Sequence, residues 1–432
     1  MSPTFSSLKI RNYRIYATGS LLSNVGTWMG RVAQDWLVLT QLTQHSSSAL
    51  GLVTGLQFLP FLLLAPVTGM IADRFSKRTI LISTQSFLAV STLALAVMTL
   101  TGVVALWHVY VFALLSGIAT AVDNPARQTF VSEMVPLSQL GNAVALNSAS
   151  FNAGRLVGPG VAGLLIAGFG TGYALLLNGL SFFFVIASLV LVRTRELTAA
   201  PRSRGRRQVR EGLAYVRGRP DLMLIMALVF VLGTFGMNFQ LTTALMATKE
   251  FHKGATEYGL LGSVLAIGSL VAALLAARRK NLRLRVLLVA LAGFTLFSGL
   301  AALAPGYVVF ALVLIPIGLC TMTALTAANT MVQLSVEPVM RGRVMALYMA
   351  IFLGGTPLGS PVIGWLGDVA GARWTIGVGT VAVGLSLVAV AIFFRERENM
   401  RVSYRPSRRP RLRVTMEQRG LPDEATTPEL AR

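Results

Sequence analysis

The sequence predicts an all-α membrane protein whose twelve transmembrane helices form two six-helix bundles, and three observations carry that reading. Of its 432 residues, 54% are hydrophobic and 13% are charged, a balance outside that of ordinary soluble domains. Apolar runs of the ~20 residues needed to cross ~30 Å of hydrocarbon recur from Tyr13 to Phe394. A long Arg-rich segment divides those runs into six and six, as in transporters built from parallel repeats.

In order, the runs fall near residues 14–41, 48–72, 79–102, 106–126, 140–167, 172–193, 222–246, 256–277, 285–303, 306–334, 343–367 and 373–394. The chain therefore divides into a lead (1–13), an N-terminal bundle (14–193), an Arg-rich linker (194–220), a C-terminal bundle (221–394) and a basic tail (395–432). The lead "MSPTFSSLKIRNYR" lacks the short apolar stretch and small-residue cleavage site of a secretory signal. In the linker, "VREGLAYVRGRP" sets Leu213 and Val216 among charges, the pattern of a short interfacial helix ending before Pro220. The tail, rich in Arg and Pro, is expected to be disordered.

A net charge of +21 raises the question of nucleic acid, so the placement of the charge decides. It sits in alternate loops: the lead, "DRFSKR", the linker, "RRKNLRLR", "MRGR" and the tail. Between them, "QLTQHSSS", "TGVVALW", "GFGTG" and "APGY" carry almost none, while "ATKEFHKGATEYG" and "GDVAGAR" mix signs. By the positive-inside rule the basic set is cytoplasmic and both termini lie inside. The arginines then serve topology and attraction to anionic lipid, and the partner is a bilayer rather than nucleic acid. One cysteine, Cys320, allows no internal disulfide, and His45, His108 and His252 lack metal-ligand spacing, so neither metal nor cofactor is expected.

A weak internal repeat supports the two bundles. Ala145, Leu146, Gly154, Gly163 and Gly170 match Ala346, Leu347, Gly355, Gly364 and Gly371 at a constant offset of 201. This puts the fifth and eleventh helices in register.

Few charges fall inside the helices. On the fifth, Arg155 lies roughly 20 Å from the cytoplasmic entry, and a charge at that depth marks a functional site by default. Ser148, Asn152, Arg155 and Pro159 share one face, beside a small-residue stripe of Ser150, Gly154, Gly158 and Ala162 that permits close packing. Pro159 has no N–H, leaving the carbonyl of Arg155 without its helical partner, so the segment reads as a charged hinge. On the first helix Arg31 and Asp35 are four apart and can pair, and Asp123 and Arg127 repeat that spacing on the fourth. Burial favours the neutral form of Asp35 and a neighbouring arginine the charged form, so opening and closing the site is expected to switch its protonation. Asp35, Arg31, Arg155, Asp123 and Arg127 are therefore the proton-coupling candidates, Arg127 being more structural in character because it lies near the cytoplasmic end.

The seventh helix offers Asn238 and Gln240, and the tenth Thr326 and Asn329, where the N-terminal half offers charges. With Asn24, Gln34 and Asn152 they form the expected lining of a cavity for an amphipathic small molecule.

The loop "GMIADRFSKRTI" resembles the signature of the major facilitator superfamily through Gly69, Asp73, Arg74, Lys77 and Arg78, with Ser76 where a second glycine is usual. The resemblance implies a conformational latch. The stretches "SNVGTWMGRVAQDWLVL", "DNPARQTFVSEMVPLSQLGNAVALNSASFNAGRLVGPGVAGLL" and "REGLAYVRGRP" resemble the branch that includes macrolide-efflux and enterobactin-export proteins. "GPGVAG" is similar to the glycine-proline motif of antiporters that export drugs, which implies hinge roles for Gly154, Gly158, Pro159 and Gly163. The resemblance implies the major facilitator fold, a bacterial plasma-membrane location, and proton-coupled efflux by a monomer. The alternatives are a facilitator, an importer or lysophospholipid flippase, and a non-transporting sensor. No nucleotide-binding "GxxxxGK[ST]" and no catalytic constellation is present, so no enzyme is expected.

Overall fold

A computed structural model describes residues 3–198, 208–277, 284–398, 401–404 and 412–415. A backbone in hydrocarbon must satisfy its own polar groups, so the apolar runs become helices. The N-terminal half contains α1 (Arg11–Trp36), α2 (Ser47–Arg74), α3 (Lys77–Leu100), α4 (Leu106–Met134), α5 (Leu137–Phe169) and α6 (Thr171–Leu191). After the linker helix α7 (Gln208–Arg217), the second half contains α8 (Pro220–Val231), α9 (Phe239–Leu245), α10 (Ala255–Ala277), α11 (Leu284–Ala302), α12 (Tyr307–Ser335), α13 (Pro338–Val369) and α14 (Trp374–Glu398). With α8 and α9 as two parts of one crossing, the segments are the twelve expected from sequence.

Three details differ from the sequence expectation. The seventh segment is not a continuous helix: α8 passes through a π-helical turn at Leu232–Gly236 and the path breaks at Met237 and Asn238 before α9. Glycines at 233 and 236 supply little helix propensity there. The fourth segment runs eight residues beyond its expected end at 126, straight through Pro125 to Met134. In the tail, expected to be disordered, Arg401–Tyr404 (β1) and Leu412–Thr415 (β2) pair antiparallel, with Val402 opposite Val414. The linker expectation matches α7, whose Val216 is buried and whose Glu211 pairs with Arg343 of α13 at 2.7 Å.

Among the described residues, nine helical segments are long and apolar enough to cross a membrane. Neither α1 nor α5 is among them, because each carries polar side chains along its length. Large apolar side chains elsewhere point outward, such as Val90, Leu164, Phe184, Leu274 and Leu385, each more than half exposed. An apolar belt of this extent suits hydrocarbon rather than water.

Within the first half α1 packs on α5 and α6, α3 on α4 and α6, and α2 on α4. Within the second, α12 packs on α10 and α11, and α11 on α14. Two helix pairs join the halves: α5 with α10, and α2 with α13. These pairs meet at backbone distance. A Cβ at Gly163 would come within 2.6 Å of the Ala255 carbonyl, and one at Gly364 within 2.5 Å of the Ser47 carbonyl.

Gly163 and Gly364 are 201 apart, and so are the starts of α5 and α13 at Leu137 and Pro338. The register persists into the turns that follow, where Gly170 and Gly371 take φ of +90° and +96°, a region that favours glycine. The repeat is thus a structural one, with α5 against α10 the counterpart of α13 against α2.

This packing generates a controlled comparison. Gly163→Ala forces a backbone contact and should destabilise the purified protein by about 1–3 kcal/mol. Gly168→Ala, on the same helix with nothing within 4 Å of the new Cβ, should be neutral or stabilising by up to about 1 kcal/mol. Thermal unfolding in detergent reads both, and equal effects would show that close approach at Gly163 is not limiting.

Candidate functional site: a central cavity between the bundles

A cavity of about 960 Å³ lies between the halves, walled by α1, α2, α4 and α5 on one side and α9, α10, α12 and α13 on the other. Its wall becomes more enclosed along its length. Phe151 is 49% exposed and Ser148 is also exposed, whereas Pro159 is buried and Tyr258 is 2% exposed. The cavity opens toward the start of α5 and is closed toward its end.

Helical spacing on α5 explains this wall. Ser148, Asn152, Arg155 and Pro159 all line the cavity. The adjoining stripe faces α1 instead: Ser150 Oγ accepts from Asn24 Nδ2 at 3.0 Å, a Cβ at Gly154 would meet Asn24, and one at Gly158 would meet Trp28. The end of α5 turns to α10, where Ser263 Oγ donates to the Leu156 carbonyl at 2.6 Å. The helix runs unbroken through Pro159, which is buried in close packing against α10.

Arg31 and Arg155 converge on one aromatic side chain. The guanidinium carbon of Arg31 is 4.9 Å from the Trp28 ring centre and 5.9 Å from that of Phe58, and that of Arg155 is 5.8 Å from Trp28. Phe151 meets Trp28 edge-on at 5.6 Å. The expected Arg31–Asp35 ion pair is not formed. The arginine leans into the cavity over the indole, while Asp35 turns to the other bundle and accepts a hydrogen bond from Tyr258 Oη of α10 at 2.9 Å. Asp35 is 5% exposed, and Trp36 stacks with Tyr258 at 6.3 Å. Asp35 therefore sits behind Tyr258 at the closed end of the cavity.

Asp123 and Arg127 do pair, at 2.7 Å. Asp123 Oδ1 also accepts from Thr84 Oγ1 and Gln85 Nε2, each at 2.8 Å. These donors tie α3 to α4 through Asp123, and Arg127 reaches the cavity wall from that anchor.

Other expected cavity residues divide. Asn152, Asn238, Gln240, Thr326 and Asn329 line the cavity. Asn24 and Gln34 do not: Asn24 joins α1 to α5, and Gln34 Nε2 is buried without a hydrogen-bond partner among the described residues. Asn24 lies one turn before Trp28 and Gln34 three residues after Arg31, so both flank the cavity-lining stretch of α1 along its axis. At the break before α9, Asn238 Nδ2 donates to the Thr234 carbonyl at 2.7 Å, while its buried Oδ1 has no partner among the described residues.

The loop motif is distributed within the first half. Ser76 caps α3 by accepting from Thr79 N at 3.1 Å, a role a glycine side chain could not fill. Arg78 donates to the Leu189 and Val190 carbonyls at the end of α6, at 2.7 and 3.1 Å. Lys77 lies 3.7 Å from Glu133 of α4, and Arg74 lies over Phe75. Gly69 belongs to α2; the side chain of Asp73 lies outside the described residues.

Sequence reasoning missed the clasp at the closed end. Asp368 of α13 accepts from the backbone N–H groups of Ser47 and Ser48, each at 2.8 Å, and Lys249 donates to Asp368 at 2.8 Å and to Ser47 Oγ at 2.9 Å. Ser46 Oγ accepts from Ala49 N, so α2 has its leading donors capped jointly by its own serine and the opposite bundle. Beside it Arg373 binds Glu250 at 2.8 Å and the carbonyls of Ala302 and Ala304. The signal was present: the two loops of mixed sign are complementary to each other.

The comparisons agree with this architecture. A family model described as "Transmembrane secretion effector" matches residues 2–421. The staphyloferrin A transporter of Staphylococcus aureus is 25% identical, over 88% of this chain and 95% of its own length. Macrolide efflux protein A of Streptococcus pyogenes is 22% identical over 90% and 97%. An enterobactin exporter of Shigella boydii is 23% identical over 83% and 87%. Among solved structures, the bacterial homologue of the human lysosomal transporter Spinster superimposes with a TM-score of 0.64 at 17% identity, covering 91% of this chain and 95% of that one. The D-xylose-proton symporter gives 0.64 at 14% identity, covering 87% and 96%. With two repeated bundles enclosing one cavity and a family match along nearly its whole length, this chain belongs to the transmembrane secretion effector family of major facilitator superfamily membrane transporters.

Proposed function

We propose that this transporter exports a small amphipathic compound in exchange for protons, with Asp35 as the proton-coupling group. The observation that carries the proposal is the buried hydrogen bond from Tyr258 to Asp35, which joins the two bundles at the closed end of the cavity. Rocking the bundles apart at that end removes the donor and admits water, and both changes alter the carboxyl's hold on its proton. The carboxyl exchanges its proton with the outer side while that end is open and is sealed from it when the bundles close over it. Relatives named for macrolide efflux and enterobactin export support the outward direction.

Charge placement supports the orientation. The cavity opens toward the start of α5, the end at which the Arg-rich linker and the "DRFSKR" loop lie, so the arrangement described is the cytoplasm-facing one with both termini inside. Asp368 and Lys249 then clasp the outer side.

Two expected outcomes follow. In inverted vesicles of cells expressing the protein, Asp35→Asn should reduce pH-gradient-driven uptake of a transported drug to the level of empty vesicles, while exchange without a gradient persists. Full gradient-driven uptake by the variant would sink the coupling role, and uptake indifferent to the gradient in the wild type would favour a facilitator. Second, Asp368→Asn should weaken the clasp by ~1 kcal/mol, the scale of a lost helix cap, shifting the population outward about fivefold. In a Cys320→Ser background, Ala49→Cys should then react faster with an impermeant maleimide added outside. Unchanged reactivity would mean the clasp does not hold the outer side shut.

A further inference from the structure

The charges of the cavity do not balance. Three arginines line it, Arg31, Arg127 and Arg155, and among the described residues no aspartate or glutamate does. Arg127 is neutralised by Asp123. Asp35 is buried behind Tyr258, where it attracts Arg31 through space without an ion-pair contact among the described residues. Arg31 and Arg155 therefore have neither an ion pair nor a hydrogen bond to protein among the described residues. Both lie within 6 Å of the same indole, Trp28.

Two like charges facing one aromatic side chain at membrane depth repel each other and lose solvation. The ring faces of Trp28 and Phe58 offset only part of that cost. A guanidinium offers several N–H donors in a planar fork matched to a carboxylate, and here two forks share one aromatic platform. We propose that the cavity binds an organic anion, its carboxylate held between Arg31 and Arg155 and its aromatic or apolar body laid against Trp28, Phe58 and Phe151. The opposite wall, with Asn238, Gln240, Thr326 and Asn329, meets the polar remainder without adding charge. This deepens the exporter reading and rests on it for the transport step, though not for the binding step.

The site and the transport reading fail separately under one set of matched probes. Equilibrium binding of 1-naphthoate, 1-naphthamide and 1-naphthylmethylammonium is measured to the full chain in lipid nanodiscs, with empty nanodiscs subtracted. The carboxylate should bind at least about tenfold more tightly than the amide, and the ammonium most weakly. Arg155→Gln and Arg31→Gln should each erase most of the carboxylate preference, with thermal unfolding of each variant unchanged from wild type reporting that it is folded. Arg155→Lys should retain part of the preference, since it keeps the charge and loses the fork. Equal binding of the three probes, tighter binding of the ammonium, or a carboxylate preference that survives both glutamine variants would each overturn the proposal. Binding needs no gradient, so a carboxylate preference without pH-driven transport leaves the anion site standing and removes the proton-coupled reading. A pH-driven export of the ammonium alone does the reverse.

Discussion

Two helix pairs, α5 with α10 and α2 with α13, bring the bundles together at backbone distance, and the cavity, the Asp35–Tyr258 hydrogen bond and the clasp all depend on that approach. Glycine makes it sterically available: Gly163 and Gly259 on one pair, Gly51 and Gly364 on the other, face carbonyls and Cα atoms that a side chain would strike. Contacts of this kind interlock few side chains, so the helices can tilt against each other without unpacking a core. They also bring α10 close enough for Tyr258 to reach Asp35, and α13 close enough for Asp368 to cap α2.

The ionic groups are arranged by what surrounds each of them. Asp123 has three donors and serves as an anchor. Asp35 has a single hydrogen bond among the described residues, from the opposite bundle, so separating the bundles at that end would change its surroundings. Arg31 and Arg155 have aromatic faces and each other. A transporter needs some interactions that hold throughout the cycle and others that change within it. Here Lys77 with Glu133 and Arg78 with the end of α6 lie inside a bundle, whereas Lys249 with Asp368 lies between bundles.

Much of this was legible in the chain. The count of the segments and most of their extents follow from hydropathy, because hydrocarbon leaves the backbone few alternatives. The two faces of α5 follow from helical spacing, and the offset of 201 reaches as far as the positive φ of Gly170 and Gly371. Less was legible on α1, where helical spacing allows Arg31 to meet Asp35 but does not say that Tyr258 competes for the carboxylate. Tyr258 itself lies 223 residues from its partner, and nothing local marks it.

By itself, then, the sequence determined the class of protein, the twelve crossings, the repeat, and which helices carry charge or proline, since these depend on composition and local periodicity. Tertiary structure decided which charges are paired. It turned Asp35 to Tyr258, gave Asp123 to Arg127, left Arg31 and Arg155 on Trp28, and joined two loops of mixed sign into a clasp. The physical reason is that the pairing of a buried charge depends on the phase and separation of helices distant in sequence, and those are set only when the bundles pack.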